Sequence, residues 1–216
     1  MRKILFIILI IQFSCNSQED CPKGINLLPM YGEIQKCKQQ IEFDKEFIQE
    51  SEKQFENRKK AAEYYISQGW EYFYKNEDNT SMKRFNQAWL LDNSNPQIYW
   101  GFGNLLGKQN KFSESIKFFK KSIEIDPNNA KVYESISTSY GQIFLQTKDT
   151  KYLNLRIENL KKAIKIDPKN GRALGELANT YAYFNQKDSL IKYIKRTDEI
   201  DSNFVNPEVR KIATKK

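Results

Sequence analysis

The residue types that most often carry catalysis are scarce in this sequence. Its 216 residues include no histidine, which excludes histidine general bases, Ser-His-Asp and Cys-His nucleophile systems, and histidine metal sites. The three cysteines are not clustered, and the sequence has no glycine-rich phosphate loop. Only a pair of carboxylates could do acid–base chemistry, and none stands out. We therefore predict that the chain is not an enzyme and has no catalytic residue, bound metal or cofactor.

The charged residues are distributed as on an ordinary solvated surface. The formal net charge is +8 at pH 7, and a basic chain raises the hypothesis of nucleic-acid binding. The lysines, however, are scattered along helical faces together with glutamates, as in Lys117, Lys120, Lys121 and Glu124. That mixture is typical of a helix surface in contact with water. We predict no nucleic-acid partner.

The first fifteen residues, MRKILFIILIIQFSC, have the pattern of an export signal. Arg2 and Lys3 precede an unbroken apolar stretch over residues 4–11. As a helix this stretch rises about 12 Å, far less than the roughly 30 Å hydrocarbon core of a bilayer. A positive start followed by a short apolar run predicts a signal peptide over residues 1–14.

The end of that apolar run resembles a bacterial lipoprotein signal, because Cys15 follows directly after the small residue Ser14. The resemblance implies that Cys15 is acylated, for example with palmitate, and becomes the mature N-terminus. It also implies a lipidated tether over residues 15–32 and a place in the bacterial envelope, at the outer membrane, with the membrane face left open. Gln12 and Phe13 depart from the usual motif, so a soluble secreted form or a retained anchor are the alternatives.

The other two cysteines, Cys21 and Cys37, follow the predicted signal peptide. An oxidising compartment outside the cytoplasm permits a disulfide between them. Two unpaired thiols are the alternative, since a sequence does not supply the distance between the two side chains. A bridge would pin the tether onto the helix that follows.

The body of the chain is an internal repeat. Similar strings ending in an aspartate-containing turn divide it into four units, over residues 62–95, 96–129, 130–170 and 171–204. In each unit a large residue is followed four positions later by a small one: Tyr65 and Gly69, Tyr99 and Gly103, Tyr133 and Ser137, Leu174 and Ala178. Two apolar stripes in each unit predict two helices. The small residues are expected where the two helices cross.

This pattern resembles the tetratricopeptide repeat, and four copies in register carry the resemblance. It implies an all-α fold, a short right-handed superhelical solenoid of antiparallel helical hairpins with flanking cap helices. The third unit has seven extra residues, over 146–152. They are expected between its two helices, either as a longer turn or as extended helix ends.

Two flanking segments are predicted to cap the solenoid. Residues 33–60 carry apolar residues at seven-residue spacing, namely Ile34, Ile41, Ile48 and Phe55. This stripe predicts an N-terminal helix packed on the first repeat, with a free coiled coil as the alternative. At the other end, Pro207 suits the first turn of a short helix reaching Thr214, within a C-terminal cap and tail over residues 205–216.

The resemblance also implies a binding surface, because the first helices of such hairpins line a concave face that binds extended peptides or partner helices. The candidate partner-binding residues carried over to this chain are Trp70, Phe73, Tyr74, Trp100, Asn104, Lys108, Lys131, Glu134, Arg172, Asn179 and Tyr183. The four aromatic residues at the start of this set are typical of a binding hot spot. Alternatively, they pack against the helix predicted within residues 33–60.

Two of the polar candidates, Asn104 and Asn179, either hydrogen-bond a peptide backbone or are merely exposed. The lysine and asparagine arrangement with which some relatives hold a C-terminal carboxylate is incomplete, since Trp100 stands where that clamp has a lysine. We do not predict that specificity.

Together these features predict an envelope-anchored module that binds a protein or peptide partner on its concave face. They do not predict an oligomeric state. The alternative function is a glycan-binding or peptidoglycan-binding lipoprotein, in which Trp70, Tyr74 and Trp100 stack on sugar rings.

Overall fold

A computed structural model describes residues 20–214 of the chain. Within this range there are ten α-helices and no strand: α1 Lys38–Gln54, α2 Arg58–Tyr74, α3 Asp78–Leu91, α4 Pro96–Lys108, α5 Phe112–Ile125, α6 Ala130–Thr147, α7 Lys151–Ile166, α8 Gly171–Tyr183, α9 Lys187–Asp198 and α10 Pro207–Thr214. None of these described helices is long and apolar enough to cross a membrane. The predicted signal peptide and the predicted lipidation site Cys15 lie outside the described residues.

The helices from α2 to α9 pack as four hairpins, and each hairpin packs on the next. This arrangement confirms the predicted all-helical solenoid of stacked hairpins. Apolar residues at helical spacing give each helix a buried stripe, and these stripes meet in core clusters that follow one another along the chain. The first helix of each hairpin is α2, α4, α6 or α8, and these four helices are the ones predicted to line the concave face.

The two helices of a hairpin approach each other closely where the predicted small residues lie. Phe85, on α3, is fully buried, and a Cβ atom added to Gly69 would stand 2.8 Å from its ring. A Cβ atom on Gly101, in the next hairpin, would overlap the same ring. In the second hairpin, Gly103 lies against the buried ring of Phe119 in the same way. The rings therefore fit only because glycine faces them.

The turns between hairpins follow a common plan. Asp92 Oδ1 accepts a hydrogen bond from the amide of Ser94, and Asn95, three residues after the aspartate, caps the next helix through its side chain. The same aspartate–asparagine pairs recur at residues 126 and 129 and at residues 167 and 170. Asparagine and aspartate are favoured in these places because their short side chains satisfy amides that the helix leaves without a partner.

The seven extra residues of the third unit lengthen its helices. α6 has 18 residues and α7 has 16, whereas the helices of the second hairpin have 13 and 14. Only three residues, 148–150, separate α6 from α7. Of the two predicted forms of the insertion, the extended helix ends are correct.

The described part of the predicted tether, residues 20–32, is held against the rest of the fold. Cys21 and Cys37 form a disulfide with a Cα–Cα distance of 5.2 Å. Of the two alternatives left open by the sequence, a bridge or two unpaired thiols, the bridge is the one found. Between the two cysteines, two 3₁₀ turns pack against α3. The segment is held there because Ile25 and Met30 are buried, and because the fully buried Asn86 donates to two of its carbonyl groups.

The predicted helix over residues 33–60 is also shorter than expected. α1 begins only after Cys37, and Ile41 in its first turn is exposed. The helix packs on the first hairpin through its second half, where Phe47 and Ile48 contact a small cluster around Ala61. The first half contacts the N-terminal segment, where Gln40 Nε2 donates to Pro22 O at 2.7 Å, and that segment packs against α3. Packing on the first repeat, rather than a free coiled coil, is therefore the arrangement found.

The C-terminal end is closed by a 3₁₀ turn, Ser202–Phe204, followed by α10. Both elements contact α8 and α9. A Cβ atom on Gly171 would meet the Phe204 ring at 2.8 Å, so this turn lies directly on the start of α8. The end of the solenoid is thus covered by residues that continue its apolar core.

We expect Gly103→Ala to destabilise the protein by about 1–3 kcal/mol, because its methyl group would overlap the buried Phe119 ring. Gly107→Ala, on the same helix, is the matched control. A Cβ atom there meets only Ser115 Oγ, at 3.7 Å, and alanine is the better helix former. Urea unfolding of both variants measures the effect, and equal stability of the two would contradict the close approach described for the second hairpin.

We expect Asn86→Ala to loosen the N-terminal segment, because two backbone carbonyls lose their donor, at a cost of about 1–3 kcal/mol. Limited trypsin digestion should cut faster after Lys23 or Lys36. Asn159→Ala is the control, since Asn159 is also buried but its Nδ2 donates within its own helix, to Leu155 O at 2.8 Å. Equal cleavage rates in the two variants would show that Asn86 does not hold the segment.

Candidate partner-binding groove

A groove of about 1230 Å³ runs along the first helices of the hairpins and the turns that join them. It is lined by nine of the eleven predicted partner-binding residues, namely Trp70, Phe73, Tyr74, Trp100, Asn104, Lys108, Lys131, Glu134 and Arg172. These residues come from α2, α4, α6 and α8, the four helices that the repeat pattern places on one face. Asn179 and Tyr183 do not line it.

An aromatic cluster forms the N-terminal end of the groove. The rings of Trp70 and Trp100 have centroids 4.5 Å apart. Trp70 also contacts Phe73 edge-on and stacks with Tyr74 at 6.2 Å. Tyr74 is 74% exposed, so one large aromatic side chain stands in water beside three that are partly buried. Such a ring is typical of an anchor point for a partner.

The alternative interpretation required α1 to cover the aromatic cluster, and α1 does not cover it. All residues of α1 are described, and none of them lines the groove. Phe47 and Ile48 of α1 pack near Ala61, toward the opposite end of α2 from Tyr74, and near Tyr65 in the middle of that helix. The rings of the aromatic cluster pack on one another and on Phe85 below them.

Lys108 joins the first two hairpins across the groove wall. Its Nζ donates to Phe73 O at 3.2 Å, to Asn76 Oδ1 at 3.0 Å and to Asp78 Oδ1 at 2.7 Å. It also lies 4.5 Å from the centre of the Phe73 ring. The ammonium group therefore satisfies the end of α2 and the start of α3. The repeat register predicts it as a partner contact, whereas the structure places it in the scaffold that holds the aromatic cluster.

Trp100 and Asn104 are likewise held by neighbouring groups. The Trp100 indole donates to Ser135 Oγ at 2.9 Å, which links α4 to α6. Asn104 Nδ2 donates to Trp100 O at 2.8 Å, within its own helix. The bond to Ser135 therefore orients the Trp100 ring, and the Asn104 carbonyl oxygen is the part of that side chain left to accept a bond.

The middle of the groove is polar. Glu134 accepts from Asn170 Nδ2 at 2.6 Å and lies 3.9 Å from the Arg172 guanidinium. Arg172 itself is exposed over 70% of its side chain, and Lys131 is exposed beside it. The carboxylate is thus partly used inside the protein, whereas the two cations face solvent. Within residues 20–214, no group of three or more cysteine, aspartate or glutamate side chains is arranged to hold a metal ion.

Asn179 and Tyr183 lie outside the groove, on the later turns of α8. The Tyr183 ring packs edge-on against Phe144 of α6, with centroids 4.8 Å apart. Asn179 is half-buried, and its Oδ1 has no hydrogen-bond partner within the described residues. α6 is longer than the other first helices, and its last turn carries the Phe144 side chain that Tyr183 contacts.

The sequence did not identify the far end of the groove, where Ile166, Ile200 and Phe204 contribute apolar side chains. One feature of the sequence could have identified Phe204 as a groove residue. It stands three residues after Asp201, where the three other turns have a capping asparagine. Phe204 replaces that asparagine at the end of the repeat array, and its ring forms part of the apolar wall of the groove.

Comparisons with known proteins agree with this fold. Residues 96–129, the second unit, match the model of the tetratricopeptide repeat family. No curated protein matches the sequence.

Several solved structures have a similar fold. MamA aligns with 19% identity and a TM-score of 0.57, over 66% of this chain and 79% of its own. A thermophilic TPR protein of Thermus thermophilus aligns with 16% identity and a TM-score of 0.58, over 70% and 79%. The first TPR of Spaghetti (RPAP3), bound to an HSP90 peptide, aligns with 19% identity and a TM-score of 0.50, over 56% and 93%. At these identities the likeness shows the fold alone, and with the matching unit it supports a tetratricopeptide repeat protein.

We expect Lys108→Met to lower the free energy of unfolding by about 1 kcal/mol, because the end of α2 loses a partly shielded ion pair and two hydrogen bonds. Raising the salt concentration should shrink the difference from the parent protein, since salt screens the pair with Asp78. Lys120→Met, on an exposed position of α5, is the control and should change stability by less than about 0.5 kcal/mol. The assigned role of Lys108 is wrong if both variants unfold alike.

Proposed function

We propose that this chain is an envelope-anchored interaction module that binds an extended peptide or a helix of a partner protein in the groove. The observation that carries the proposal is the open aromatic cluster, in which Tyr74 is 74% exposed beside Trp70 and Trp100. Large aromatic side chains at the mouth of a groove give a partner much apolar contact at little cost in side-chain freedom.

The groove is suited to a partner with mixed chemistry. A bulky apolar residue would pack on the aromatic cluster, and the polar middle would meet main-chain groups. Lys131 and Arg172 lie in that middle and are exposed, so acidic side chains or a carboxylate on the partner would be favoured there. The scaffold contacts of Lys108 and Trp100 hold the groove in shape before the partner binds, which lowers the cost of binding.

The second part of the proposal is the lipid anchor at Cys15, supported by the signal pattern of residues 1–15. It would hold the module at a membrane surface of the bacterial envelope. Anchoring raises the effective concentration of the module toward partners in the same membrane, so even a modest groove affinity would be sufficient.

Photocrosslinking in cells tests the groove. We expect a photoreactive residue in place of Tyr74 to give a distinct protein adduct, which mass spectrometry then identifies. Tyr64 is the matched control, because it is also an exposed tyrosine of α2 but packs beside Phe55 and outside the groove. Adducts of equal yield from both positions, or none from position 74, would reject the groove as the binding surface.

A calorimetric measurement distinguishes the alternative function, the binding of a glycan. The exposed face of Tyr74 is the observation that favours a glycan, since a sugar ring could stack on it. In that case purified cell-wall fragments would bind the parent protein with measurable heat, and Tyr74→Ala would abolish the signal. A protein adduct from position 74 without such heat favours the protein partner.

A further inference from the structure

The N-terminal segment displays apolar side chains to solvent although it is tightly held. Its buried residues are Ile25 and Met30, whereas Leu27, Leu28 and Ile34 are 36%, 39% and 43% exposed. We call these three exposed residues the leucine loop. A single exposed leucine needs no explanation, but three within eight residues of a fixed segment form an unusual concentration.

The members of the leucine loop include two that are direct neighbours. A Cβ atom added to Gly32 would meet Leu28 Cδ1 at 2.8 Å and Ile34 Cδ1 at 3.2 Å. The Leu28 and Ile34 side chains therefore both lie next to Gly32 and form one apolar surface. Contiguous exposed apolar surface of this kind marks contact with a partner or a membrane more often than scattered residues do.

The backbone beneath the leucine loop is fixed at several points. Asn86 Nδ2 donates to Asn26 O at 3.0 Å and to Leu28 O at 2.8 Å, the carbonyls on either side of Leu27. Met30 and Tyr31 adopt left-handed backbone angles, with φ of 52° and 56°, which residues with a side chain rarely do. The surrounding contacts therefore hold the loop in one shape, and that shape leaves Leu27 and Leu28 partly exposed to solvent.

The position of the leucine loop along the chain indicates what covers it. Cys21 is tied to the fold by its disulfide with Cys37. Cys15 precedes it by six residues, which span at most about 20 Å even when fully extended. If Cys15 carries acyl chains in a bilayer, the fold begins within that distance of the membrane, and the leucine loop begins only six residues after Cys21.

We propose that the leucine loop lies against the surface of a lipid bilayer, as a second membrane contact that rests on the anchor proposed at Cys15. Leucine and isoleucine side chains gain by entering the boundary between headgroups and acyl chains. Two contacts, one covalent lipid and one loop, would fix the orientation of the solenoid on the membrane. A lipid anchor alone would leave the module free to rotate.

The test replaces Leu28, in the full chain and in cells, with a diazirine-bearing leucine analogue of nearly the same shape. The control carries the analogue at Leu145 of α6, which is 55% exposed and would label more strongly if exposure alone mattered. Mass spectrometry of the same purified protein reports both phospholipid adducts and acylation of Cys15. We expect an acylated Cys15 and a several-fold excess of phospholipid adducts at position 28.

The other possible results test the loop contact and the lipid anchor separately. An acylated Cys15 without excess lipid adducts at position 28 overturns the loop contact and leaves the anchor intact, and protein adducts there instead would make the loop a protein-binding surface. Lipid adducts at position 28 with an unmodified Cys15 support the loop contact and reject the anchor. An unmodified Cys15 without lipid adducts overturns both.

Discussion

The structure depends on phenylalanine rings that fit between helices only where glycine faces them. Phe85 is enclosed by Gly69 of its own hairpin and by Gly101 of the next, so one ring sets both the spacing within the first hairpin and the stacking of the second upon it. Interiors are packed too densely to absorb even one added methyl group at such a point. The direction of α2 and α4, and hence the wall of the groove, follows from this contact.

The aromatic cluster is built directly on that contact. Trp70 lies against Phe85 from above and reaches Trp100 on the next hairpin, while Lys108 ties the end of α2 to the start of α3. The exposed parts of the groove, above all Tyr74, are therefore supported by buried side chains. The leucine loop is built in the same way: the buried Asn86 holds its backbone, and its apolar side chains are partly exposed.

Much of this could be predicted from the sequence, because the repeat imposes one geometry on four units. The small residues at positions 69 and 103, the aspartate turns and nine groove residues all follow from the register. The N-terminal segment could not be predicted, since its fold rests on single long-range contacts such as Asn86 with Asn26 and Leu28, which leave no period in the sequence. The scaffold contacts of Lys108 could not be predicted for the same reason: its partners lie about 30 residues earlier in the chain.

Fluorine NMR can show directly whether a partner binds at the aromatic cluster. The chain has three tryptophans, of which Trp70 and Trp100 lie in the groove and Trp89 lies outside it, near Tyr31. Labelled with fluorotryptophan, the protein should give three signals. When the purified partner identified by crosslinking is added, we expect the Trp70 and Trp100 signals to shift while the Trp89 signal stays. A shift of Trp89 alone, with the other two unchanged, would contradict binding at the aromatic cluster.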